Sequence, residues 1–319
     1  MLNILHRGSA TLAAVETVDG WRAPDDVVWI DLKDPTRDEE LAIEQALGIC
    51  LPTREDMAEI EPSSRLYQED GAVFMTATVV VGVADQRPTL APITFVLHRG
   101  RLITIRYCAP RAFEAFVGQL PGHPELRASG PAVFLGLLDA LIDRLADILE
   151  HIAIKIEHSS DAVFGADRAR GGFQPVLRQL GAAQMTGAKA RDSLVSLGRG
   201  MAYAATASAL DDRELTEHLR TLQQDVPSLT DHASYLASNV TFLLDAALGQ
   251  INIEQNAILK VFSVFTVVFL PPTLIGAIYG MNFKFLPELD WRLGYPMALG
   301  FMAISAIAPL LWFKRRGWL

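Results

Sequence analysis

Small and polar side chains recur along one stripe of a long apolar segment near the C-terminus. Their positions alternate in steps of three and four residues, so on a helix they share one face, while Phe262, Phe265 and Phe269 fall on other faces. Such a stripe serves either helix–helix contact or a water-lined path, and the spacing alone leaves both open. We call this set the seam; it consists of Asn256, Leu259, Ser263, Thr266, Leu270, Thr273 and Ala277.

The chemistry of the seam points to a cation that keeps its water shell. No Asp, Glu or His lies within residues 261–282 or 293–313, so the carboxylates that a dehydrated divalent ion requires are missing from both segments. Carboxamide oxygens remain at Asn256 and Asn282. Because Mg²⁺ dehydrates reluctantly, hydrated Mg²⁺ is the ion that this set fits best. One such helix per chain cannot enclose a path, so a pore requires several copies around an axis.

Two uncharged segments must position these residues. Residues 261–282 and 293–313 each reach the roughly 20 apolar residues that cross a bilayer. Lys260 precedes the first segment, and Lys314, Arg315 and Arg316 follow the second. Since positive flanks stay in the cytoplasm, we expect a plasma (inner) membrane protein with both termini inside and residues 283–292 outside.

The rest of the 319-residue chain has the character of a cytoplasmic protein. Six basic and two acidic residues lie from Lys260 onward, which leaves a net charge of −13 on residues 1–259. This acidic balance argues against nucleic acid as a partner. We also expect no organic cofactor, because the sequence lacks a P-loop and a glycine-rich dinucleotide turn.

The patterning predicts an α+β fold with three regions. Residues 1–130 form a cytoplasmic α/β domain, with strands at 27–32, 72–83, 93–97 and 102–106 and a helix at 36–47. Residues 131–259 form a helical and stalk region, with helices at 132–158 and 173–200 and a third helix from 211 that meets no strong stop before Gly280. Residues 260–319 form the transmembrane domain. Pro227, Pro271 and Pro272 lie inside the third helix, where proline favours a kink.

Four segments around the apolar region resemble one known family. The sequence YGMN at residues 279–282 is similar to the signature of the CorA family of divalent-cation transport proteins. Its surroundings resemble the same family: YGMNFKFLPELDWRLGYP (279–296), WFKRRGWL (312–319), INIEQN (251–256) and VVFLPPTL (267–274). The GMN tripeptide alone is weak, but between two terminal spans it becomes specific. WIDLKDP (29–35) is compatible with the family and matches it less strongly.

The resemblance implies a homopentamer with a cytoplasmic funnel, a long pore-lining stalk helix and a second helix outside it. It implies uptake of Mg²⁺, often with Co²⁺ and Ni²⁺. Asn282 would meet the hydrated cation at the outer mouth, with Tyr279, Gly280 and Met281 completing the motif. The seam positions Asn256, Leu259, Leu270 and Thr273 would line the pore, with Leu270 in its hydrophobic constriction. Glu288 and Asp290 in the outer loop would raise the local cation concentration by electrostatic steering.

Regulation is the least specified part of the resemblance. In the family, cytoplasmic Mg²⁺ between subunits holds the pore closed. The candidate carboxylates here are Glu69 and Asp70 in the α/β domain and Asp225 and Asp231 on the stalk. Without Mg²⁺ these charges would repel and loosen the closed state.

Other functions remain open from the sequence. One is a Zn²⁺ transporter of the ZntB type, with or without coupling to protons. Another is a membrane adaptor whose seam only oligomerises. A further row of acids, Asp139, Asp143, Asp147 and Glu150, shares one helix face and is either a solvated face or a cation surface. An enzyme is not expected, because the seven histidines are scattered with no base–nucleophile spacing.

Overall fold

The structure is a computed structural model, and it describes residues 1–59, 61–165, 172–207, 212–282 and 291–317. The chain divides into two compact units, Met1–Leu244 and Asp245–Leu319. We call them the sheet unit and the hairpin unit. The predicted division at residues 130 and 259 stays a prediction.

Seven strands of the described residues form one mixed sheet in the order β2-β1-β3-β7-β6-β5-β4. The strands are β1 (Leu2–His6), β2 (Ala13–Ala14), β3 (Val27–Lys33), β4 (Leu66–Glu69), β5 (Ala72–Val81), β6 (Thr89–His98) and β7 (Arg101–Arg106). The β3–β7 pair is parallel and the other pairs are antiparallel. The four predicted strands are confirmed. The short strands β1, β2 and β4 were not predicted.

The helices are α1 (Arg37–Leu47), α2 (Arg54–Ala58), α3 (Pro62–Arg65), α4 (Arg111–Gln119), α5 (Gly130–Phe164), α6 (Gln174–Thr206), α7 (Arg213–Tyr279) and α8 (Gly294–Arg315), with a 3₁₀ turn at Pro124–Arg127. The predicted helices are confirmed, and α5 and α6 extend beyond their predicted ends. A mixed sheet followed by long helices confirms the α+β class.

Local sequence signals explain where several elements begin. Thr36 caps α1, because its hydroxyl accepts a hydrogen bond from the Glu39 N–H while the Glu39 carboxylate accepts one from the Thr36 N–H. The β6–β7 turn uses Arg99 at φ 47° and Gly100 at φ 74°, as a two-residue hairpin requires. Ser129 caps α5 in turn, and its first residue, Gly130, donates from its N–H to the Gly100 carbonyl.

The sheet unit has apolar side chains on both faces of the sheet. On one face, Ile30 and Ile103 belong to a buried cluster that includes Ile43 of α1 and Met57 of α2. On the other face, Trp29 contacts Phe116 of α4, and Phe95 contacts Phe134 of α5. The sheet is therefore the middle layer of three, with α1 and α2 on one side and α4 and α5 on the other.

Helix α7 is continuous over 67 residues, and Pro227, Pro271 and Pro272 do not end it. Proline lacks an N–H, so the carbonyls four residues before each proline lose their helical donors. In a bilayer such helices persist where neighbours satisfy the freed groups. Among the described residues, α7 and α8 are the helices long and apolar enough to cross a membrane.

Candidate functional site

The hairpin unit is held together by one face of α7. Phe313 of α8 is buried against Val264 and Val268 of α7, and Ala306 packs against the same cluster. Farther along α7, a Cβ placed on Gly276 would lie 3.4 Å from the Cε of Met302 in α8. Contacts at both levels show that α7 and α8 run antiparallel along this face.

The seam lies on the opposite face of α7. At about 100° per residue, its centre is roughly 180° around the helix from Val264 and Val268. All seven seam residues are exposed, and Leu270 keeps 61% of its surface accessible. Helix α8 therefore contacts the face away from the seam, so the seam remains open in a single chain.

The two seam threonines are oriented by their own helix. The Thr266 hydroxyl donates to the Phe262 carbonyl at 2.9 Å, and the Thr273 hydroxyl donates to the Phe269 carbonyl at 2.7 Å. With each hydroxyl hydrogen used inside the helix, the oxygen is left as an acceptor. The threonines can therefore accept hydrogen bonds from water, as a hydrated cation requires of its surroundings.

The predicted motif at residues 279–282 closes the C-terminal end of α7. Tyr279 is the last helical residue, the Gly280 N–H donates to the Gly276 carbonyl at 2.9 Å, and the Met281 N–H donates to the Ile278 carbonyl at 3.3 Å. Met281 and Asn282 are both exposed. The backbone of the motif has the hydrogen bonds of an ordinary helix C-terminus. Only its side chains and its position in the chain distinguish it from other helix ends. Glu288 and Asp290 lie outside the described residues.

The four candidate regulatory acids are exposed and lie in pairs on two separate segments of the chain. Glu69 ends β4, and Asp70 occupies the β4–β5 turn at φ 49°, while Asp225 and Asp231 lie on α7. In the described part of the chain, no three His, Cys, Asp or Glu side chains come together as a metal site. One chain therefore does not bring these acids together, and their role stays a prediction.

Two members of the acidic row on α5 have basic partners. The Asp139 carboxylate lies 3.3 Å from Nε2 of His218 on α7, and the Asp147 carboxylate lies 3.7 Å from Arg144. Partial burial raises the pKa of Asp143 between them, and the charges of Asp139 and Asp147 raise it further. The row is thus a largely solvated face with local counter-charges.

Sequence reasoning missed a buried polar network in the sheet unit. Arg106 on β7 donates to both oxygens of Asp31 on β3, at 2.9 and 2.7 Å. Thr104 also donates to Asp31 at 2.8 Å, and its hydroxyl accepts from the Trp29 indole at 2.9 Å. All four side chains are buried. The parallel pairing of β3 with β7 brings them together, and only the polar Asp31 within an apolar strand hinted at it.

Fold and site together define a membrane protein with a sheet-containing unit, a long helix whose C-terminal part is apolar enough to cross a bilayer and a second apolar helix. The model of the CorA-like Mg²⁺ transporter protein family matches residues 24–315. The chain therefore belongs to this family, a family of transporters rather than enzymes.

Similar proteins agree with this membership. The magnesium transport protein CorA of Escherichia coli K12 is 35% identical over 292 residues, which cover 92% of each chain. The complete structure of the CorA magnesium transporter from Methanocaldococcus jannaschii covers 100% of this chain and 99% of its own, with a TM-score of 0.78 at 19% identity. The cytoplasmic domain of ZntB from Vibrio parahaemolyticus has a TM-score of 0.59 at 11% identity, covering 79% of this chain and 98% of its own. Both structural likenesses concern the fold.

Proposed function

We propose that this protein is a homo-oligomeric, pentameric membrane channel or transporter that takes up hydrated divalent cations, chiefly Mg²⁺. Co²⁺ and Ni²⁺ would follow the same route. The observation that carries the proposal is the open seam on α7, which α8 leaves uncovered by packing on the opposite face. The family membership and the magnesium-transporting relative support the choice of ion.

The position of α8 supports one arrangement of the copies. If the seams face a common axis, the α7 helices form the inner ring and the α8 helices the outer ring. Lipid then covers the exposed apolar side chains of α8, among them Ile304. The seam supplies the wall of the path through Asn256, Leu259, Ser263, Thr266, Leu270, Thr273 and Ala277.

The wall chemistry suits an ion with its water shell intact. Thr266 and Thr273 present acceptor oxygens to water, and no carboxylate within residues 261–282 competes for the metal itself. Leu270 narrows the path with an apolar ring that gates by excluding water. At the outer mouth, the Asn282 carboxamide accepts hydrogen bonds from the cation's waters, with Tyr279, Gly280 and Met281 fixing its position.

Charge supports entry and feedback. Glu288 and Asp290 would attract cations to the mouth. Inside, Glu69, Asp70, Asp225 and Asp231 would bind cytoplasmic Mg²⁺ at subunit borders and hold the closed state. The net charge of −13 on residues 1–259 favours such binding. The basic flanks favour an inner-membrane location with both termini in the cytoplasm.

Mg²⁺ influx into proteoliposomes tests the proposal. A Mg²⁺-sensitive dye inside the vesicles reports influx for the unaltered protein, Asn282→Ala and Ile304→Ala. We expect influx in the unaltered protein and in Ile304→Ala, which changes a side chain on α8 away from the seam. Asn282→Ala should lose most of the influx while keeping its assembly. Equal influx in all three would make Asn282 structural.

Two further arms address the alternatives. Influx of Zn²⁺ that stops when the proton gradient collapses would instead indicate a ZntB-type carrier. Absence of flux for every divalent ion, with assembly intact, would indicate an adaptor. For the feedback step, Asp225→Ala should weaken inhibition of influx by Mg²⁺ on the cytoplasmic side, and unchanged inhibition would remove Asp225 from the regulatory set.

A further inference from the structure

One end of the hairpin unit concentrates positive charge. Phe313 packs on Val264 and Val268, so the residues after Phe313 lie beside the residues just before Val264. Lys260 on α7 therefore shares a level with Lys314, Arg315 and Arg316 at the end of α8. We call these four residues the basic end. All four are exposed.

The basic end lacks a matching set of acids. Within the described ranges, none of its four side chains forms an ion pair. The acid nearest to it along α7 is Glu254, an exposed residue six positions before Lys260, or about 9 Å along the helix axis. Within the described residues of the hairpin unit, the four cations therefore have no carboxylate at their own level, and an anion from elsewhere would complement them.

Arg316 gives this charge a specific geometry. Its guanidinium carbon lies 5.6 Å from the centroid of the Trp312 ring, and 54% of Trp312 is exposed. Its backbone N–H donates to the Trp312 carbonyl at 3.1 Å, which holds the two residues together at the end of the helix. An indole at an apolar–polar boundary and a planar guanidinium above it offer an apolar contact and two parallel donors in one place.

Phosphate diesters in an apolar setting fit these features. Arginine pairs with phosphate oxygens through two parallel N–H groups, lysine supplies point charge, and tryptophan prefers the depth of lipid headgroups. Basic residues alone would be enough to stabilise a helix end or to set the membrane topology. The stacked and exposed Trp312–Arg316 pair adds a surface that also contacts acyl chains.

We propose that the basic end binds the headgroup of an anionic phospholipid, and that this bound lipid stabilises the hairpin unit. The proposal rests on the bilayer location in the proposed function and not on which ion is transported. It predicts that phosphatidylglycerol stabilises the protein and phosphatidylcholine does not. Each basic residue removed should weaken the apparent affinity for phosphatidylglycerol about fivefold.

The test titrates the purified full chain in detergent with short-chain phosphatidylglycerol or phosphatidylcholine and follows the midpoint of thermal unfolding. We compare the unaltered protein, Arg316→Gln, Arg316→Lys and the triple variant Lys314→Gln/Arg315→Gln/Arg316→Gln. The matched control is Arg292→Gln, which removes an exposed basic residue just before α8, at the opposite end of that helix from the basic end. The two single Arg316 variants keep the test usable if the triple variant does not fold.

The expected pattern separates the headgroup from other anions. Phosphatidylglycerol should raise the midpoint of the unaltered protein and of Arg292→Gln equally, Arg316→Lys should respond less, and the triple variant should not respond. Inorganic phosphate at the same concentration should leave the midpoint unchanged, and an equal effect would mean a free-phosphate site instead. Equal effects of both lipids, or a full response of the triple variant, would overturn the proposal.

Two outcomes separate this inference from the transport proposal. If the basic variants change the oligomeric state in lipid-free detergent and no variant responds to lipid, the basic end binds acids of neighbouring copies and the lipid proposal is wrong. If phosphatidylglycerol stabilises the chain through the basic end but no cation flux occurs, the lipid proposal stands and the transport proposal fails.

Discussion

The sheet unit buries its large apolar side chains, whereas the hairpin unit leaves most of its own exposed. In the sheet unit, Trp29, Phe74 and Phe95 have almost no exposed surface. In the hairpin unit, Phe262 and Leu270 keep more than half of their surface exposed, while the core cluster has only Val264, Val268 and Phe313 as buried members. The sheet unit thus buries its core within one chain, whereas the hairpin unit leaves large apolar side chains exposed, as expected of helices that contact lipid.

The two units also differ in where they place charged side chains. The sheet unit buries the Arg106–Asp31 ion pair and satisfies it with Thr104. The hairpin unit excludes charge from residues 261–282 and 293–313 and places it at the ends. A buried charge is tolerated where fixed partners surround it, and none is available to a helix that faces lipid. Substitutions in each unit should therefore act through different physical terms.

The largest effect is expected when the buried ion pair of the sheet unit loses one partner. Asp31→Ala leaves the Arg106 guanidinium buried without its carboxylate, which should lower the free energy of unfolding by about 3–5 kcal/mol. Guanidinium-induced unfolding of the full chain in detergent measures the loss.

The matched variant replaces both partners, Asp31→Leu with Arg106→Met, and should recover most of the stability because no charge is left unpaired. A double variant as unstable as Asp31→Ala would show that the network contributes more than charge compensation. Either result tells whether the sheet unit needs this polarity for its stability.

The second-largest effect on stability is expected from one of two substitutions at adjacent positions that lie on different faces of α7. In Gly276→Leu, the added Cβ would already be in van der Waals contact with the Cε of Met302, at 3.4 Å, so the remaining leucine carbons would crowd Met302. Overpacking of this kind should destabilise the α7–α8 contact by about 1–3 kcal/mol. Ala277→Leu adds the same side chain on the seam and should leave that contact intact while reducing Mg²⁺ influx.

Thermal unfolding and influx, measured on both variants, give opposite patterns if the faces have the assigned roles. The unfolding midpoint should fall in Gly276→Leu and stay in Ala277→Leu. Equal midpoints in the two variants would contradict the assignment of α8 to the face away from the seam.

A smaller effect is expected at the start of α1 in the sheet unit. Thr36→Ala removes the hydroxyl that accepts the Glu39 N–H, at a cost of about 1 kcal/mol in the free energy of unfolding. Thr36→Ser keeps an acceptor at the same position and should stay close to the unaltered protein. If both substitutions destabilise equally, the methyl group of Thr36 and not its cap is responsible.

The same cap shows what the sequence determines without a structure. Thr36 followed by Glu39 and the two uncharged segments are local signals, and they lie in the elements predicted for those residues. The Arg99–Gly100 turn is equally local and joins two of the predicted strands. The seam was also readable, because its steps of three and four residues need only the helix period. The two functions left open for the seam, helix–helix contact and a water-lined path, differ in whether another helix or water covers it. That difference depends on how copies of the chain assemble.

Non-local pairing explains most of what the sequence did not reveal. Strand β1 begins at Leu2 and is short, so its periodicity is weak until it pairs with β3. The structural role of Asp31 depends on Arg106, which lies 75 positions away in the sequence. Arg106 reaches Asp31 only because β3 and β7 are parallel neighbours. The α8-facing side of α7 likewise required the contacts of Phe313.

The smallest expected effect concerns His98, which links the sheet to the β4–β5 turn. Its Nδ1 lies 3.4 Å from the Gly71 carbonyl. Burial lowers the pKa of His98 below the ordinary value of 6.5, and the charges of Arg99 and Arg101 lower it further, while the Gly71 and Leu47 carbonyls oppose the shift.

The sign of the pH dependence follows from that shift. Since the folded state binds the proton less readily than the unfolded state, the stability due to neutral His98 is fully present above pH 6.5 and is lost as the pH falls below it. His98→Gln should flatten the fall in the unfolding midpoint between about pH 7 and 5, whereas His151→Gln, on the exposed side of α5, should keep it. If His98→Gln keeps the same slope, the pH dependence arises elsewhere in the sheet unit.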